Sequence, residues 1–248
     1  DNHVEFSFIG YVARKPREGD LVGNKFEVVV ENAAEGHYEV FREIVSEIAS
    51  KGLPSYYGYQ RFGVKRANTH LLGKFIVLGR LDLFVHEILH GLYPAEGLRG
   101  IVKRSANVFD GSLVYERVVY TVKDPDYAVR VVSGMTRDIF IDSYASYLYN
   151  LLLNRIVEAY GWSALDSDYP TIGCVEYFDE YYKDLALLEG LSSQYVFFKC
   201  WFRRGLFKPR IVKLEFKDNT ITFTFILEKG FYASVVLREI FKENLILA

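Results

Sequence analysis

Cysteine is scarce in this chain: Cys174 and Cys200 are too few for a disulfide framework and have no C-x-x-C spacing. That scarcity predicts a reducing compartment and a pair of inert core thiols. Long apolar runs are missing too. None reaches the roughly 18 to 20 residues needed to span a bilayer, and the first residues lack the layout of a signal peptide. The expectation is a soluble, cytoplasmic protein without a membrane partner. Excess charge of one sign is also absent, because 30 Lys and Arg stand against 32 Asp and Glu, a formal net charge of −2. A polyanionic partner would need a local basic surface. Methionine occurs once, at Met135, so Asp1 is not an unprocessed translation start and a preceding segment is expected.

What is present is a large apolar inventory. At 248 residues and 50% hydrophobic, the chain can bury a sizeable core in one large domain or two modest ones. Aromatic residues make up 16%, enough for core packing and for stacking platforms. One basic stretch exists: between Lys199 and Lys213 lie Arg203, Arg204, Lys208 and Arg210 with no acidic residue among them. The preceding stretch is acidic through Glu176, Asp179, Glu180, Asp184 and Glu189. The basic run is either a phosphate-facing surface or a solvated face.

Periodicity outlines an α+β chain. Over residues 21–31, Phe26, Val28 and Val30 alternate with Lys25, Glu27, Val29 and Glu31, which predicts a strand. Val40, Ile44, Val45 and Ile48 recur at helical spacing over 37–51, with Gly52 and Pro54 as stops. Residues 55–63, SYYGYQRFG, fit neither period, and a loop that dense in Tyr, Gln and Arg is a candidate site. Helices are predicted over 81–92 and 137–160, the second ended by Gly161. Residues 163–193 have no clear period. The segments 211–217 and 220–228 alternate about Asp218-Asn219, a hairpin with a type I′ turn. In its second strand Ile221, Phe223 and Phe225 face one way and Thr220, Thr222 and Thr224 the other. Residues 234–242 read as a helix capped by Ser234.

Four ordered segments resemble one family. Asp20-Leu21-Val22-Gly23-Asn24-Lys25-Phe26 resembles the G-N-x-F strand motif of the TruD family of tRNA pseudouridine synthases. Gly52-Leu53-Pro54-Ser55-Tyr56-Tyr57-Gly58-Tyr59-Gln60-Arg61-Phe62-Gly63 resembles its G-x-P-N-Y-F-G-x-Q-R-F-G signature, with Ser55 where Asn is usual and Tyr57 where Phe is common. Ser146-Tyr147-Leu148-Tyr149-Asn150 is similar to its S-Y-L-F-N helix. The segment from Gly230 to Glu239 resembles its closing G-S-Y/F-A-T-x-x-x-R-E motif. The resemblance implies a pseudouridine-synthase-type catalytic domain, an antiparallel or mixed sheet with helices. It would be assembled from residues 1–63 and 206–248, with a family-specific α/β domain inserted over 64–205.

The activity so implied is isomerisation of a tRNA uridine, in the D arm, without cofactor or metal. Such a site needs an aspartate at the sugar, an aromatic face against the extruded base and polar groups at its edge. By resemblance Phe26 is the aromatic of the active-site strand and Asn24 the polar residue that positions the site. Both fall on one strand face, two residues apart. Tyr232 matches a second aromatic near the target nucleotide. The plainer alternatives are core aromatics for Phe26 and Tyr232 and a turn residue for Asn24. Gln60 and Arg61 either contact RNA or pin the aromatic loop. Arg238 either reaches phosphate or an active-site carboxylate, or forms a structural salt bridge. Arg203, Arg204 and Lys208 complete the RNA-binding candidates. The family's nucleophilic Asp lies in a G-x-K-D-R-x-A-x-T-like motif ahead of G-N-x-F, and no such motif occurs here. Lys123-Asp124, Lys183-Asp184 and Lys217-Asp218 lack its flanking residues. The motif is therefore expected on a segment outside this chain, with residues 1–248 alone inactive.

His86-Glu87-Ile88-Leu89-His90 is a formal H-E-x-x-H, which on a helix sets two imidazoles on one face for zinc and a glutamate to activate water. Tyr93 and Glu96 stand where the H-x-x-G-x-x-H extension would continue, leaving Glu96 or a distant acid as third ligand. The competing readings are a zinc metallohydrolase through His86 and His90 and a non-catalytic RNA-binding relative. The favoured one is a monomeric, metal-free isomerase acting on tRNA.

Overall fold

The computed structural model describes residues 7–8, 10–15, 17, 20–93, 96–97, 126, 129–130, 133–191 and 197–242. In chain order its principal elements are β1 (Gly23–Val30), α1 (Glu35–Lys51), β2 (Leu53–Pro54), α2 (Tyr59–Phe62), α3 (Thr69–Val77), α4 (Leu81–His90), α5 (Arg137–Tyr160), β3 (Asp168–Pro170), α6 (Phe178–Tyr181), α7 (Lys183–Glu189), β4 (Phe202–Arg204), β5 (Leu206–Phe207), β6 (Arg210–Lys217), β7 (Thr220–Glu228) and α8 (Ala233–Phe241). The class is α+β, as the periodicity indicates. Lys123-Asp124 lies outside the described residues.

One core belongs to a three-stranded antiparallel sheet in the order β1-β7-β6. Alternation in β1 sets Phe26, Val28 and Val30 opposite Phe225, Phe223 and Ile221 of the central strand. Phe41, Val45 and Ile48 of α1 and Val236 and Ile240 of α8 pack into the same core. Asp218 and Asn219 both have positive φ, 51° and 57°, as the predicted type I′ turn requires. Thr224 keeps to the face opposite Phe223 and Phe225, as alternation predicts, yet it is buried, with its hydroxyl turned toward Glu27 of the neighbouring strand. A central strand is shielded by neighbours on both edges, so burial there does not follow from face alone.

The second core surrounds α5, whose Tyr144, Leu148, Tyr149, Leu152, Leu153 and Ile156 are buried against Leu72, Ile76 and Val77 of α3 and Phe84 and Val85 of α4. A two-residue ladder joins the cores. β2 pairs antiparallel with β5, Leu53 opposite Phe207 and Pro54 opposite Leu206. Leu53 and Phe207 enter the sheet core, whereas Leu206 enters the helical one.

Four local readings are corrected. The helix expected over 81–92 stops at His90, because Arg66 donates to the carbonyls of Glu87 and Ile88 at 2.7 and 3.1 Å and so terminates it. The aromatic segment contains one helical turn, α2. The last helix starts at Ala233 with Tyr232 in the capping place; Ser234 lies inside the first turn and gives its hydroxyl to Gln60 Oε1 at 2.8 Å.

The cysteines are the fourth correction, since they are not free thiols. Cys174 and Cys200 form a disulfide across Cα atoms 4.5 Å apart. Its cause is a ladder the sequence does not display: β3 pairs with β4, Pro170 opposite Phe202, and beyond it the Thr171 N–H donates to the Trp201 carbonyl at 2.9 Å. Zipping those strands carries two residues 26 apart in sequence into bonding range. Protein denatured without reductant should therefore show no titratable thiol, and two thiols after reduction. Closing a loop of 26 residues contributes about 3.5 kcal/mol in chain-entropy terms, so reductant should also lower the denaturant midpoint. Two reactive thiols before reduction would refute the pairing.

Candidate nucleic-acid site

Ahead of the single turn α2 the aromatic segment has no regular secondary structure, so its backbone groups need partners from elsewhere. The helix α5 supplies them. Asn150 Oδ1 accepts from the Tyr57 N–H at 2.8 Å and Asn150 Nδ2 donates to the Tyr57 carbonyl at 3.0 Å. One turn on, Asn154 Oδ1 accepts from the Tyr56 hydroxyl at 2.5 Å. One turn back, Ser146 Oγ accepts from Arg61 Nε at 3.0 Å, and Ser143 donates to the Arg61 carbonyl at 3.0 Å. Positions 143, 146, 150 and 154 form a single helical stripe, which is why polar residues recur there on an otherwise apolar helix. The basic strand closes the other side: Ser55 N–H donates to the Gly205 carbonyl at 2.8 Å, its buried hydroxyl to the Arg204 carbonyl, and its own carbonyl accepts from Arg203 Nε at 3.0 Å.

These bonds fix the Tyr57 ring at the centre of a cluster. Arg203 lies over it at 4.3 Å and over Phe231 at 5.3 Å, while Tyr149 meets it edge-on at 5.8 Å and Tyr232 meets it at a tilt, 5.9 Å away. The ring faces compensate the guanidinium charge. Arg203 Nη2 is nevertheless buried without a hydrogen-bond partner among the described residues. Gly58 lets the closing segment approach, because a Cβ there would stand 2.2 Å from Ser234 Oγ and 2.9 Å from Tyr232 Cβ. Beside the cluster opens a cavity of about 470 Å³, walled by Tyr56, Tyr57, Tyr59, Asn154, Val235 and Arg238 among others.

Burial is the largest influence on the phenols here and raises the pKa of Tyr56, Tyr149 and Tyr232 above the usual tyrosine value, with Arg238, Arg203 and Arg61 opposing it. At neutral pH these side chains stay uncharged. They can stack and donate hydrogen bonds but cannot act as anions. Among the described residues no aspartate stands in the cavity wall.

The predicted site residues fall in different places. Asn24 is exposed at the end of β1 opposite Leu227, and the adjacent Gly23 allows that strand to close on β7, since a Cβ there would lie 2.3 Å from the Leu227 carbonyl oxygen. Phe26 is half-buried and stacks on Phe225 at 5.3 Å, so its ring neighbour differs from that of Tyr232. Gln60 accepts from Ser234, and Arg61 is tied to α5 and faces Asp142 at 3.9 Å. The basic run splits: Arg203 turns inward, while Arg204 and Lys208 are exposed, Lys208 donating to the Ser50 carbonyl at 2.6 Å. Arg238 lies over the Tyr59 ring at 5.4 Å. His86 and His90 are exposed neighbours, ring centroids 4.9 Å apart, but the Glu87 carboxylate is engaged by Asn68 at 2.9 Å and by the Tyr93 hydroxyl. Among the described residues no three His, Cys, Asp or Glu side chains cluster as a metal site would require. Sequence reasoning missed Tyr59 and Asn154 as cavity residues. The only signal for Asn154 is its place one turn beyond Asn150.

Residues 2–168 match the sequence model of a family described as tRNA pseudouridine synthase D (TruD). A curated relative from Methanopyrus kandleri, named "Probable tRNA pseudouridine synthase D", is 30% identical, with 94% of this chain and 68% of its own length aligned. Another with the same name, from Thermococcus onnurineus, is 35% identical over 62% of this chain and 40% of its own length. The chain thus spans well under two thirds of some relatives it matches. A crystal structure of a Methanosarcina mazei protein with the same family description superposes with a TM-score of 0.66 at 21% identity, covering 91% of this chain and 70% of that one, a likeness of fold.

If the Asn150 amide organises the cluster, Asn150→Leu should strand the Tyr57 N–H and carbonyl and cost about 2–4 kcal/mol in denaturant unfolding. A loss under about 0.5 kcal/mol would mean that water or another group holds the segment.

Proposed function

The chain belongs to the TruD family of tRNA pseudouridine synthases, and we propose that it is part of an enzyme that isomerises a uridine of tRNA, with the D arm as the target the family likeness implies. One observation carries the reading. Three of the segments that resemble the family, at 52–63, 146–150 and 230–239, meet around Tyr57 and enclose the same cavity. Uncharged, rigidly held aromatic rings beside guanidinium groups are what unpaired nucleotides stack and pair their phosphates on.

In this proposal Asn24, Phe26 and Tyr232 serve the target uridine, while Arg203, Arg204, Lys208 and Arg238 meet phosphate. Gln60 and Arg61 hold the loop through Ser234 and Ser146. Residues 1–63 and 206–248 form the catalytic body and 64–205 the insertion. The reaction breaks the N1–C1′ bond of the uridine, forms a C5–C1′ bond, removes the C5 hydrogen as a proton and leaves N1 protonated. It balances without redox partner, metal or cofactor. The nucleophilic aspartate is assigned to a segment of the protein outside residues 1–248.

The test uses the full-length protein and tRNA carrying C5-tritiated uridine. Tritium release and a mapped pseudouridine are expected, and Tyr232→Leu should lower kcat/KM by roughly 10- to 100-fold, the loss of one stacking partner, with its melting temperature as control. Residues 1–248 alone should bind the tRNA without turnover. Binding without product by the full-length protein would favour the non-catalytic reading, and a stoichiometric zinc whose removal abolishes hydrolysis of a peptide would favour the other.

A further inference from the structure

The cavity and the residues assigned to the target uridine are not the same place. Asn24, Phe26 and Tyr232 are absent from the cavity wall, and Tyr57 links the two, lining the cavity and meeting the Tyr232 ring at 5.9 Å. At about 470 Å³ the cavity lies within the size range of small-molecule sites. Its contents are specific. Tyr56 and Tyr59 offer ring surface, and Asn154, whose Oδ1 is taken by the Tyr56 hydroxyl, still has its amide donors to offer. Arg238 is exposed at the rim, its guanidinium over the Tyr59 ring at 5.4 Å and without a carboxylate partner among the described residues. The other charged wall residue, Glu239, is already bonded to Lys242. One face for stacking, one polar group for a base edge and one cation for a phosphate make up a nucleotide site.

We propose that this cavity takes the base of a second unpaired nucleotide, a chain neighbour of the target uridine, with Tyr56 and Tyr59 against the base and Arg238 on its phosphate. The inference rests on the RNA-acting reading above. Its consequence is specificity: RNA whose neighbouring base is held in a helix cannot fill the cavity, so a substrate must present two extruded nucleotides on either side of the Tyr57 ring. Extruding the second base costs stacking, and the cavity contacts offset that cost.

The experiment measures the affinity of the full-length protein for a tRNA transcript that it modifies. It is compared with transcripts carrying an abasic ribose immediately before or immediately after the modified uridine, for wild type, Arg238→Gln and Tyr59→Leu. One abasic position should weaken wild-type binding about tenfold and binding by Tyr59→Leu less than about twofold, because the base and its stacking surface are lost together only once, whereas Arg238→Gln, which loses a phosphate contact, should bind every transcript more weakly and keep the tenfold abasic loss. If neither position weakens wild-type binding, or if the tenfold loss persists in Tyr59→Leu, the second pocket does not exist. Arg238 is exposed, so its variant preserves a readout should Tyr59→Leu unfold: binding of the intact transcript by Arg238→Gln as tight as wild type overturns the proposal. If no tRNA is modified at all, the isomerase reading fails separately. The same abasic comparison, scanned through the unpaired loops of a bound tRNA, then decides the pocket.

Discussion

Two hydrogen bonds from one amide hold the centre of this molecule. Asn150 accepts from the Tyr57 N–H and donates to the Tyr57 carbonyl, which satisfies an irregular stretch of backbone at the place where no helix or sheet could do so. With the backbone fixed, the ring direction is fixed too, and the Tyr57 hydroxyl accepts from Trp201 Nε1 at 3.4 Å. Arg203 then has a face to lie on. Because Arg203 also bonds the Ser55 carbonyl, the basic strand is fastened to the aromatic segment at both its backbone and its side chains. The cavity wall is the far side of this arrangement, so its shape is inherited from α5.

That dependence also explains how two cores become one body. The β2·β5 ladder is only two residues long, too short to be stable alone. It persists because Leu53 and Phe207 are anchored in the sheet core while Leu206 is anchored in the helical core, and because the segment that follows β2 is clamped by Asn150 and Ser55. A mobile seam would let Tyr57 and Tyr232 separate. The bonds around Ser55 oppose this: its buried hydroxyl reaches a main-chain carbonyl, which the larger Asn usual in the family would have to meet differently.

Much of the fold was legible in the sequence where structure follows from local period. The 24-residue helix α5, the helix α1 and the hairpin with its Asp218-Asn219 turn all fall at or within a few residues of their expected bounds. What escaped is what long-range contact decides. The β3·β4 ladder, and with it the Cys174–Cys200 bond, joins segments without any period of their own. Ser234 looks like a cap by residue type, yet the chain entering from Tyr232 gives it to Gln60 instead. The basic run read as one patch, but strand alternation sends Arg203 inward and Arg204 outward. Charge counted along a sequence cannot see that division. At the candidate site the motifs pointed to segments that the fold brings together, and Tyr59 and Asn154 became visible as cavity residues only once α5 and α8 had joined them.

The H-E-x-x-H stretch makes the same point from the other side. Its two histidines do share a helix face, as spacing demands. The glutamate, however, is held by Asn68 and by Tyr93, whose pKa is pushed up to about 12 first by burial and then by the hydrogen bond to Glu87 itself. A phenol that stays protonated is a steady donor, so the carboxylate is directed toward the loop after α4 rather than toward a metal-bound water. Arg66 reinforces that placement by capping the helix end through the carbonyls of Glu87 and Ile88, where a cation is also favoured by the helix dipole. The carboxylate that a hydrolase would turn on water is held here by Asn68 and Tyr93, and the same residue letters therefore describe a joint in the scaffold that carries α3 and α4 against α5.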